Sequence, residues 1–198
     1  MALLFFDTET TGLPSARHAV DDPAQPHCVQ LAAILTDDLG EEISAINVLI
    51  RPEGWHIPSF VTRIHGITTE KAQRYGVREA LAAELFHDLA QQADRVIGHN
   101  VAFDCRIMAT MYARSGRSDW QLPSSQVCTM QAASAVLALP PTPSMLAKGR
   151  RGPKPPRLEE CMRHFFGEKL VNAHDAMADV QACRRVYFHL RRLAENGD

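Results

Sequence analysis

The sequence predicts a single α/β domain, spanning residues 1–198, in which a mixed β-sheet is flanked by α-helices. A chain of 198 residues, 45% of them hydrophobic and 22% charged, has the size and composition of one ordinary globular domain. Apolar and β-branched runs dominate the first 50 residues, and helical patterns alternate with shorter strands after them. This order favours a mixed sheet over an all-parallel one.

Three apolar runs early in the chain predict three consecutive strands, at Leu3–Phe6, Val29–Leu35 and Ile43–Ile50. The last two flank Asp37–Gly40, whose residues suit a hairpin turn, so we expect all three strands to be antiparallel. Two shorter candidate strands follow, at Val96–Ile97 and Val127–Met130.

Two amphipathic helices are predicted in the middle of the chain. The first is expected to bury a stripe made of Val77, Leu81, Leu85 and Leu89. The second is expected to end at Gly116 and to bury Phe103, Ile107, Met108, Met111 and Tyr112. Strand and helix thus alternate through this part of the chain.

The last third of the chain predicts three further helices and one loop. An Ala-rich helix is expected to end at about Leu139. The following segment, residues 140–156, is rich in Pro and Gly and predicts a loop inside the domain. Apolar spacing predicts a helix over residues 158–165 that stops at Gly167, and the last helix is expected from about Asp175 to Leu193.

Composition excludes some classes of protein. No apolar run approaches the roughly 20 residues of a membrane-spanning helix, so no membrane partner is expected. The five cysteines are scattered and never spaced Cys-x-x-Cys, and no secretion signal is visible. Reduced thiols and a cytoplasmic location are therefore expected, with a folded Cys/His zinc site as the open alternative.

The charge distribution is uneven along the chain. The formal net charge is −2, which neither supports nor excludes a polyanionic substrate. The stretch Lys148–Arg157, called the basic strip below, holds five basic residues and no acid. It could guide a nucleic-acid strand, or it could be an ordinary solvated loop.

Asp7 and Glu9 end the first predicted strand. Side chains at positions i and i+2 of a strand point to the same face, roughly 7 Å apart, which is a spacing suited to sharing divalent metal ions. A solvated pair of acids is the plainer alternative. The apolar strand before them should be buried, however, and unpaired carboxylates are costly there.

Three further candidate site residues, two acids and one histidine, occur later in the chain. Asp104 falls at the start of the second helix, where an acid is also an ordinary helix cap. His174 and Asp179 are five residues apart, and five helical steps rotate by about 140°. They can serve one site only if His174 precedes the last helix.

Three segments, Asp7–Gly12, His99–Asp104 and His174–Asp179, follow one another in this order. Together they resemble the three motifs of the DnaQ-like, or DEDDh, 3′→5′ exonucleases, the group that contains the proofreading subunit of bacterial DNA polymerase III. The four acids and the histidine of that family are all present. The resemblance extends through Ile64–Thr68 and Leu158–Gly167, and so covers almost the whole chain.

Two departures from the family pattern are visible. Cys128–Thr129 stands where many members have Asp-Thr, outside the catalytic set. Only residues 180–198 follow the third motif, so a tail that holds a polymerase is not expected.

The resemblance implies a ribonuclease H-like fold and a divalent-metal-dependent 3′→5′ exonuclease that releases nucleoside 5′-monophosphates. It implies two Mg²⁺ or Mn²⁺ ions and the 3′ ends of single-stranded DNA or RNA as substrate, with DNA favoured. His174 would be the general base. The metal ligands, catalytic together with His174, would be Asp7, Glu9, Asp104 and Asp179.

Substrate contacts are implied by the same resemblance. Phe103 could stack on a base, or could be a plain core residue. The full expected set comprises Thr10, Thr11, Gly12, His65, His99, Asn100 and Phe103.

Three alternatives remain open from the sequence. The chain could be a proofreading subunit that acts with a DNA polymerase, or an RNA-processing exoribonuclease of the same family. It could also be a binding module that has kept the fold, although such a module has no physical need for mutually repelling acids.

Overall fold

A computed structural model of the protein describes residues 1–197. Its five strands form one sheet in the order β3-β2-β1-β4-β5. The first three strands are mutually antiparallel, while β4 and β5 run parallel to β1, so the predicted mixed sheet is confirmed. The strands are β1 (Leu3–Thr10), β2 (Cys28–Thr36), β3 (Glu42–Leu49), β4 (Arg95–Gly98) and β5 (Gln126–Cys128).

Helices cover both faces of this sheet. Residues of even number on β1, such as Leu4 and Phe6, pack with α3 and α4, whereas Leu3 and Phe5 pack with α7 and α8. The helices are α1 (Ser59–His65), α2 (Thr69–Tyr75), α3 (Glu79–Gln91), α4 (Val101–Arg114), α5 (Thr129–Leu137), α6 (Pro143–Ala147), α7 (Leu158–Phe166) and α8 (Ala176–Asn196).

Three short helices lie where the sequence predicts none. The chain after Pro58 forms α1 and α2, of seven residues each, and the Pro-rich stretch at 140–156 contains the five-residue α6. Helices this short carry too few apolar repeats to show a periodicity. Threonine side chains cap two of them, since Thr68 accepts from Lys71 N–H and Thr142 from Met145 N–H.

The buried face of α3 differs from the predicted one. Leu81 and Leu85 are partly exposed, and Val77 lies before the helix, where it bridges to Ile50. The face that packs on the sheet is set by Phe86, whose ring centroid lies 5.0 Å from that of Phe6. The buried residues of α3 are Ala82, Ala83, Phe86, Leu89 and Ala90.

The remaining elements follow the prediction closely. Helix α4 buries four of the five expected residues, and Phe103 is half-buried. The strand expected over Val127–Met130 ends at Cys128, and Thr129 opens α5. The five cysteines are free thiols. Among the helices of the described residues, none combines the length and apolar character needed to cross a lipid bilayer.

Candidate active site

The first acidic pair lies at the carboxyl end of β1. Asp7 and Glu9 continue the odd-numbered series of Leu3 and Phe5, so both side chains point towards the face covered by α8. Strand β4 is parallel to β1, and its carboxyl end therefore meets the same edge of the sheet. Helix α4 starts directly after β4, which brings its first turn to this edge.

Asp179 and His174 come to this edge from the start of α8. Asp175 is the N-cap of that helix, so His174 precedes the helix, as is needed for His174 and Asp179 to serve one site. The backbone of His174 is left-handed, with a φ of 68°. The backbone N–H of His174 donates to Oδ2 of Asp179 at 3.1 Å. Ligand atoms of Glu9, His174 and Asp179 lie within 4.8 Å of one another.

Asp104 reaches the site from the opposite face of the sheet. It lies in the first turn of α4 and is 2% exposed. Its Oδ1 accepts two hydrogen bonds from Thr8, one from the backbone N–H at 3.0 Å and one from the hydroxyl at 2.7 Å. Thr8 stands between the two acids of β1, so all three carboxylates lie around residues 7–9 of this strand.

The carboxylates destabilise one another's ionised forms. Burial, followed by the charges of Asp104, Asp179 and Glu9, raises the pKa of Asp7 well above its usual range. Burial and the charge of Asp179 raise the pKa of Glu9 to about 8. Burial also raises the pKa of Asp104 to about 7, against the hydrogen bonds from Thr8, and the pKa of Asp179 to about 6.

This cluster has the chemistry of a divalent cation site. Within residues 1–197, no Lys or Arg forms an ion pair with any of the four carboxylates. Oδ1 of Asp179 is buried and has no hydrogen-bond partner in the same part of the chain. Oxygen-rich ligand sets bind hard cations, and a bound cation would neutralise the mutual repulsion. The residues present therefore fit a divalent metal.

Gln30 holds the start of α8 against the sheet, and no sequence pattern indicates this role. Its Nε2 donates to Oδ2 of Asp175 at 3.1 Å and to Oδ1 of Asn47 at 3.0 Å, and its Oε1 accepts from Ala176 N–H. Gln30 is 4% exposed. It fixes the N-terminus of the helix that carries Asp179.

Two cavities open beside the acids. The first, of about 520 Å³, lies between the acids and the loop before α7, and its lining includes Asp7, His99, Pro156, His174 and Asp179. The second, of about 470 Å³, lies on the other side of Glu9. Its lining residues are Glu9, Thr10, Gly12, Leu13, Phe60, Val61, Ile64 and His65.

Three of the expected substrate contacts meet in the second cavity. Thr10 and Gly12 form part of its wall, and the hydroxyl of Thr10 donates to the carbonyl of Gly12. Nδ1 of His65 accepts from Ile67 N–H, so Nε2 carries the proton of the neutral ring. That Nε2 is buried and has no partner within residues 1–197, which leaves a donor for a ligand.

The other expected contacts are placed differently. Thr11 exchanges hydrogen bonds with His27. Asn100 is exposed with a φ of 76° before α4, and Phe103 packs against the core. In the described part of the chain, Asn100 and Phe103 are not among the residues that line either cavity, so their contact with substrate stays a prediction. His99 lines the first cavity, but both of its ring nitrogens have protein partners.

An apolar patch in the second cavity was missed by the sequence analysis. Leu13, Phe60 and Ile64 are 85%, 53% and 51% exposed. Leu13 directly follows the first motif, and the other two lie on α1, whose helical character the sequence did not show. Large apolar side chains exposed together beside polar residues are typical of ligand-binding grooves and interaction sites.

The sequence matches the model of the exonuclease family RNase_T over residues 4–187. The chain belongs to this exonuclease family. Exodeoxyribonuclease I of Escherichia coli K12 is 32% identical over 194 residues, which cover 90% of this chain and 38% of that protein. The DnaQ-like resemblance expected from the motifs is thereby confirmed.

Solved structures of exonuclease I share the fold. One superposes with a TM-score of 0.74 at 25% identity and covers 96% of this chain and 41% of that chain. The Escherichia coli enzyme in complex with a dT13 oligonucleotide gives a TM-score of 0.72 at 27% identity, over 98% of this chain and 43% of that one. The chain thus spans about two fifths of the length of the relatives it matches.

Proposed function

We propose that this exonuclease domain removes nucleoside 5′-monophosphates one at a time from the 3′ end of single-stranded DNA, with two divalent metal ions as cofactors. The observation that carries the proposal is the convergence of ligand atoms of Glu9, His174 and Asp179 within 4.8 Å, beside Asp7, whose pKa is also raised by the charge of Asp104. A cluster of raised-pKa carboxylates with one histidine is costly for folding and useful for phosphodiester hydrolysis.

Single-stranded DNA is favoured over RNA as the substrate. The curated relative is an exodeoxyribonuclease, and the solved relatives include exonuclease I bound to dT13 and to dA16 oligonucleotides. These are exonuclease I proteins, so they give no support to the polymerase-associated alternative. The RNA-processing alternative becomes an outcome of the test below. A cytoplasmic location stays a prediction.

The four carboxylates would hold the metal ions, with Mg²⁺ or Mn²⁺ favoured by the all-oxygen set of Asp7, Glu9, Asp104 and Asp179. Bound there, the ions would supply Lewis acidity and neutralise charge on the scissile phosphate. Thr8 and the backbone N–H of His174 each occupy one oxygen of a carboxylate. The second oxygens of Asp104 and Asp179 remain for the cations.

His174 would take the proton of the attacking water. Its side chain is exposed on the cavity wall, where it can reach substrate, and its backbone is fixed by the hydrogen bond to Asp179. The short turn before α8 keeps the imidazole close to Glu9 without burying it. A general base needs this combination of reach and orientation.

The second cavity would receive the terminal nucleotide. Leu13, Phe60 and Ile64 offer apolar surface for a base, and single-strand binders gain about 1–3 kcal/mol per stacked base from aromatic side chains. The Nε2–H of His65 would donate to a sugar or phosphate oxygen. A sequence-independent exonuclease requires contacts of this type, since every base has an apolar face.

A gel assay with 5′-labelled single-stranded DNA and RNA tests the proposal, with Mg²⁺ or with EDTA. We expect a Mg²⁺-dependent ladder that shortens from the 3′ end, faster on DNA, and absent in Asp7→Ala. Asp119→Asn, which changes an exposed acid, is the matched control and should behave as wild type. Degradation of RNA alone would support the exoribonuclease alternative. No degradation of either strand by folded protein would refute the proposal.

A further inference from the structure

His99 is fully engaged by the protein although it faces the first cavity. Its Nε2 lies 3.0 Å from the carbonyl oxygen of Pro156, and its Nδ1 lies 2.9 Å from Oγ1 of Thr129. A carbonyl only accepts, so Nε2 carries the proton and Nδ1 accepts from the threonine hydroxyl. Burial lowers the pKa of His99, in keeping with a neutral ring. Neither nitrogen is left for a phosphate.

The hydrogen bonds continue behind His99 into the core. Thr129 is fully buried, and its hydroxyl has one proton to give. Oγ1 of Thr129 lies 2.9 Å from Nδ1 of His99 and 3.3 Å from the carbonyl oxygen of Gly98. The hydroxyl therefore donates its proton to Nδ1 of His99. The Sγ of Cys183 lies 3.4 Å from the same oxygen and can donate to it. The chain of donors runs from α8 through α5 to the loop before α7.

The far end of this chain of donors is a wall of the active-site cleft. Residues 155–159 line the first cavity opposite Asp7, His174 and Asp179. Pro156 is buried, whereas Pro155 and Arg157 on either side are exposed. The carbonyl of Pro156 is therefore the point at which a hydrogen bond fastens this wall, while the side chain of Leu158 packs into the core.

The other polar contacts of this loop are with neighbouring segments of the chain. Lys154 N–H donates to the carbonyl of Leu139, and the side chain of Lys154 pairs with Glu160 of α7. Among the hydrogen bonds within residues 1–197, the one from His99 joins the wall to the sheet edge that carries the acids. Without it, the hydrogen bonds of the wall within residues 1–197 would reach only Leu139, after α5, and helix α7, and the side chain of Leu158 would remain as its contact with the core.

We propose that His99 is a positioning residue that sets the width of the active-site cleft by fastening Pro156 to the carboxyl end of β4. The proposal rests on the proposed function, because the cleft is the one that would receive the DNA strand. The acids and His174 lie on β1, α4 and the start of α8, and within residues 1–197 the side chain of His99 makes no hydrogen bond to any of these elements. Loss of the tie should therefore weaken substrate binding in ground state and transition state alike.

Variants of His99 separate the two hydrogen bonds. In His99→Gln the amide nitrogen can take the place of Nε2 and keep the bond to Pro156. In His99→Asn the shorter side chain can still accept from Thr129 but does not reach Pro156. His99→Ala loses both, and Thr129→Val leaves the ring without its donor.

Steady-state kinetics on a single-stranded dT oligonucleotide give the first readout. We expect KM to rise about tenfold in His99→Asn and His99→Ala with kcat within about twofold of wild type, and KM near wild type in His99→Gln. Thr129→Val should raise KM by about threefold, since Nδ1 loses the hydroxyl that orients the ring while Nε2–H can still donate to Pro156.

Amide hydrogen exchange gives a readout that needs no activity. Protection of the Lys154 and Arg157 amides should fall about tenfold in His99→Asn and His99→Ala and stay unchanged in His99→Gln. A wild-type protein without nuclease activity would refute the proposed function, and the exchange data would still decide whether His99 fastens the wall.

Two results would overturn the positioning role. In one, His99→Asn and His99→Ala keep both the wild-type KM and the wild-type protection. In the other, all three variants raise KM equally while protection of the loop is unchanged, which would mean that His99 contacts the substrate directly. A circular dichroism melt of each variant identifies any that fails to fold, and His99→Gln keeps the test valid in that case.

Discussion

Thr8 donates twice to the same oxygen of Asp104, through its backbone N–H at 3.0 Å and through its hydroxyl at 2.7 Å. The two residues are 96 positions apart in the chain. These bonds stabilise the ionised carboxylate against the burial that raises its pKa to about 7. Thr8 thus links the first acidic motif to the second.

Replacing Thr8 by Val removes the hydroxyl but keeps the backbone bond and the shape of the side chain. We expect the Mg²⁺ concentration for half-maximal activity to rise about tenfold, because the carboxylate of Asp104 loses a donor and becomes harder to ionise. Thr8→Ser keeps the hydroxyl and should stay within about twofold of wild type. A Mg²⁺ titration of the rate measures both. Equal midpoints for Thr8→Val and wild type would contradict the role of the hydroxyl.

His174→Ala should remove most of the activity and leave the fold intact. The side chain is exposed and precedes α8, so its loss removes no core contact, while the backbone N–H to Asp179 remains. A general base typically contributes about 10²–10⁴-fold to the rate. Single-turnover hydrolysis at saturating Mg²⁺, together with a thermal melt, measures both effects.

The control for His174 is His164→Ala, which removes an exposed histidine from α7. It should keep wild-type turnover and melting temperature. Near-native turnover of His174→Ala under the same conditions would show that another group takes the proton.

The metal-free protein should lose stability as the pH rises. The pKa of Glu9 is about 8 in the fold against an ordinary value of 4.5, so folding favours its neutral form. That contribution is fully present below pH 4.5 and is lost as the pH rises through about 8. Asp104 and Asp179, with raised pKa values of about 7 and 6, act in the same direction.

A thermal melt in EDTA measures this effect of pH. We expect Tm to fall by about 5 °C between pH 5.5 and pH 8, and Mg²⁺ to restore most of the loss at pH 8. Glu9→Gln cannot ionise, so its Tm in EDTA should fall less over the same interval and exceed that of wild type at pH 8. A Tm in EDTA that rises towards pH 8 in wild type would refute the expected sign.

The sequence identified site residues where an acidic side chain occupies a position that should be buried, because burial of a charge costs free energy. Asp7 and Glu9 could be selected because an apolar strand precedes them, and the order of the motifs added Asp104, His174 and Asp179. Partners such as Thr8 and Gln30 could not be found in this way. A threonine or glutamine carries no pattern, and its role depends on a contact with a residue 96 positions away for Thr8 and 145 positions away for Gln30.

The errors in the fold have a similar origin. In α3, Leu81 and Leu85 are more apolar than Ala82 and Ala83, so the leucines predict the wrong buried face. Helix α3 packs on β2 and β3 and reaches Phe6 of β1 through Phe86, and the side chains that fill this interface are alanines together with Phe86. The surface against which the helix packs decides which of its faces is buried. The periodicity of the helix sequence carries no information about that surface.

The basic strip should contribute to binding through long-range charge. Lys154 pairs with Glu160 and Arg157 with Glu159. Lys148, Arg150 and Arg151 are exposed and form no ion pair within the described residues.

The triple change of these three unpaired residues to Ser should flatten the dependence of log Kd for single-stranded DNA on log salt by about 2, since each phosphate contact with a single strand contributes about 0.7. Fluorescence anisotropy of a labelled dT oligonucleotide at several NaCl concentrations measures the slope. The matched control neutralises Lys71, Arg74 and Arg117, which are exposed elsewhere and should contribute little. An unchanged slope in the strip variant would identify the strip as a solvated loop, and equal flattening in both variants would reduce its effect to that of net charge.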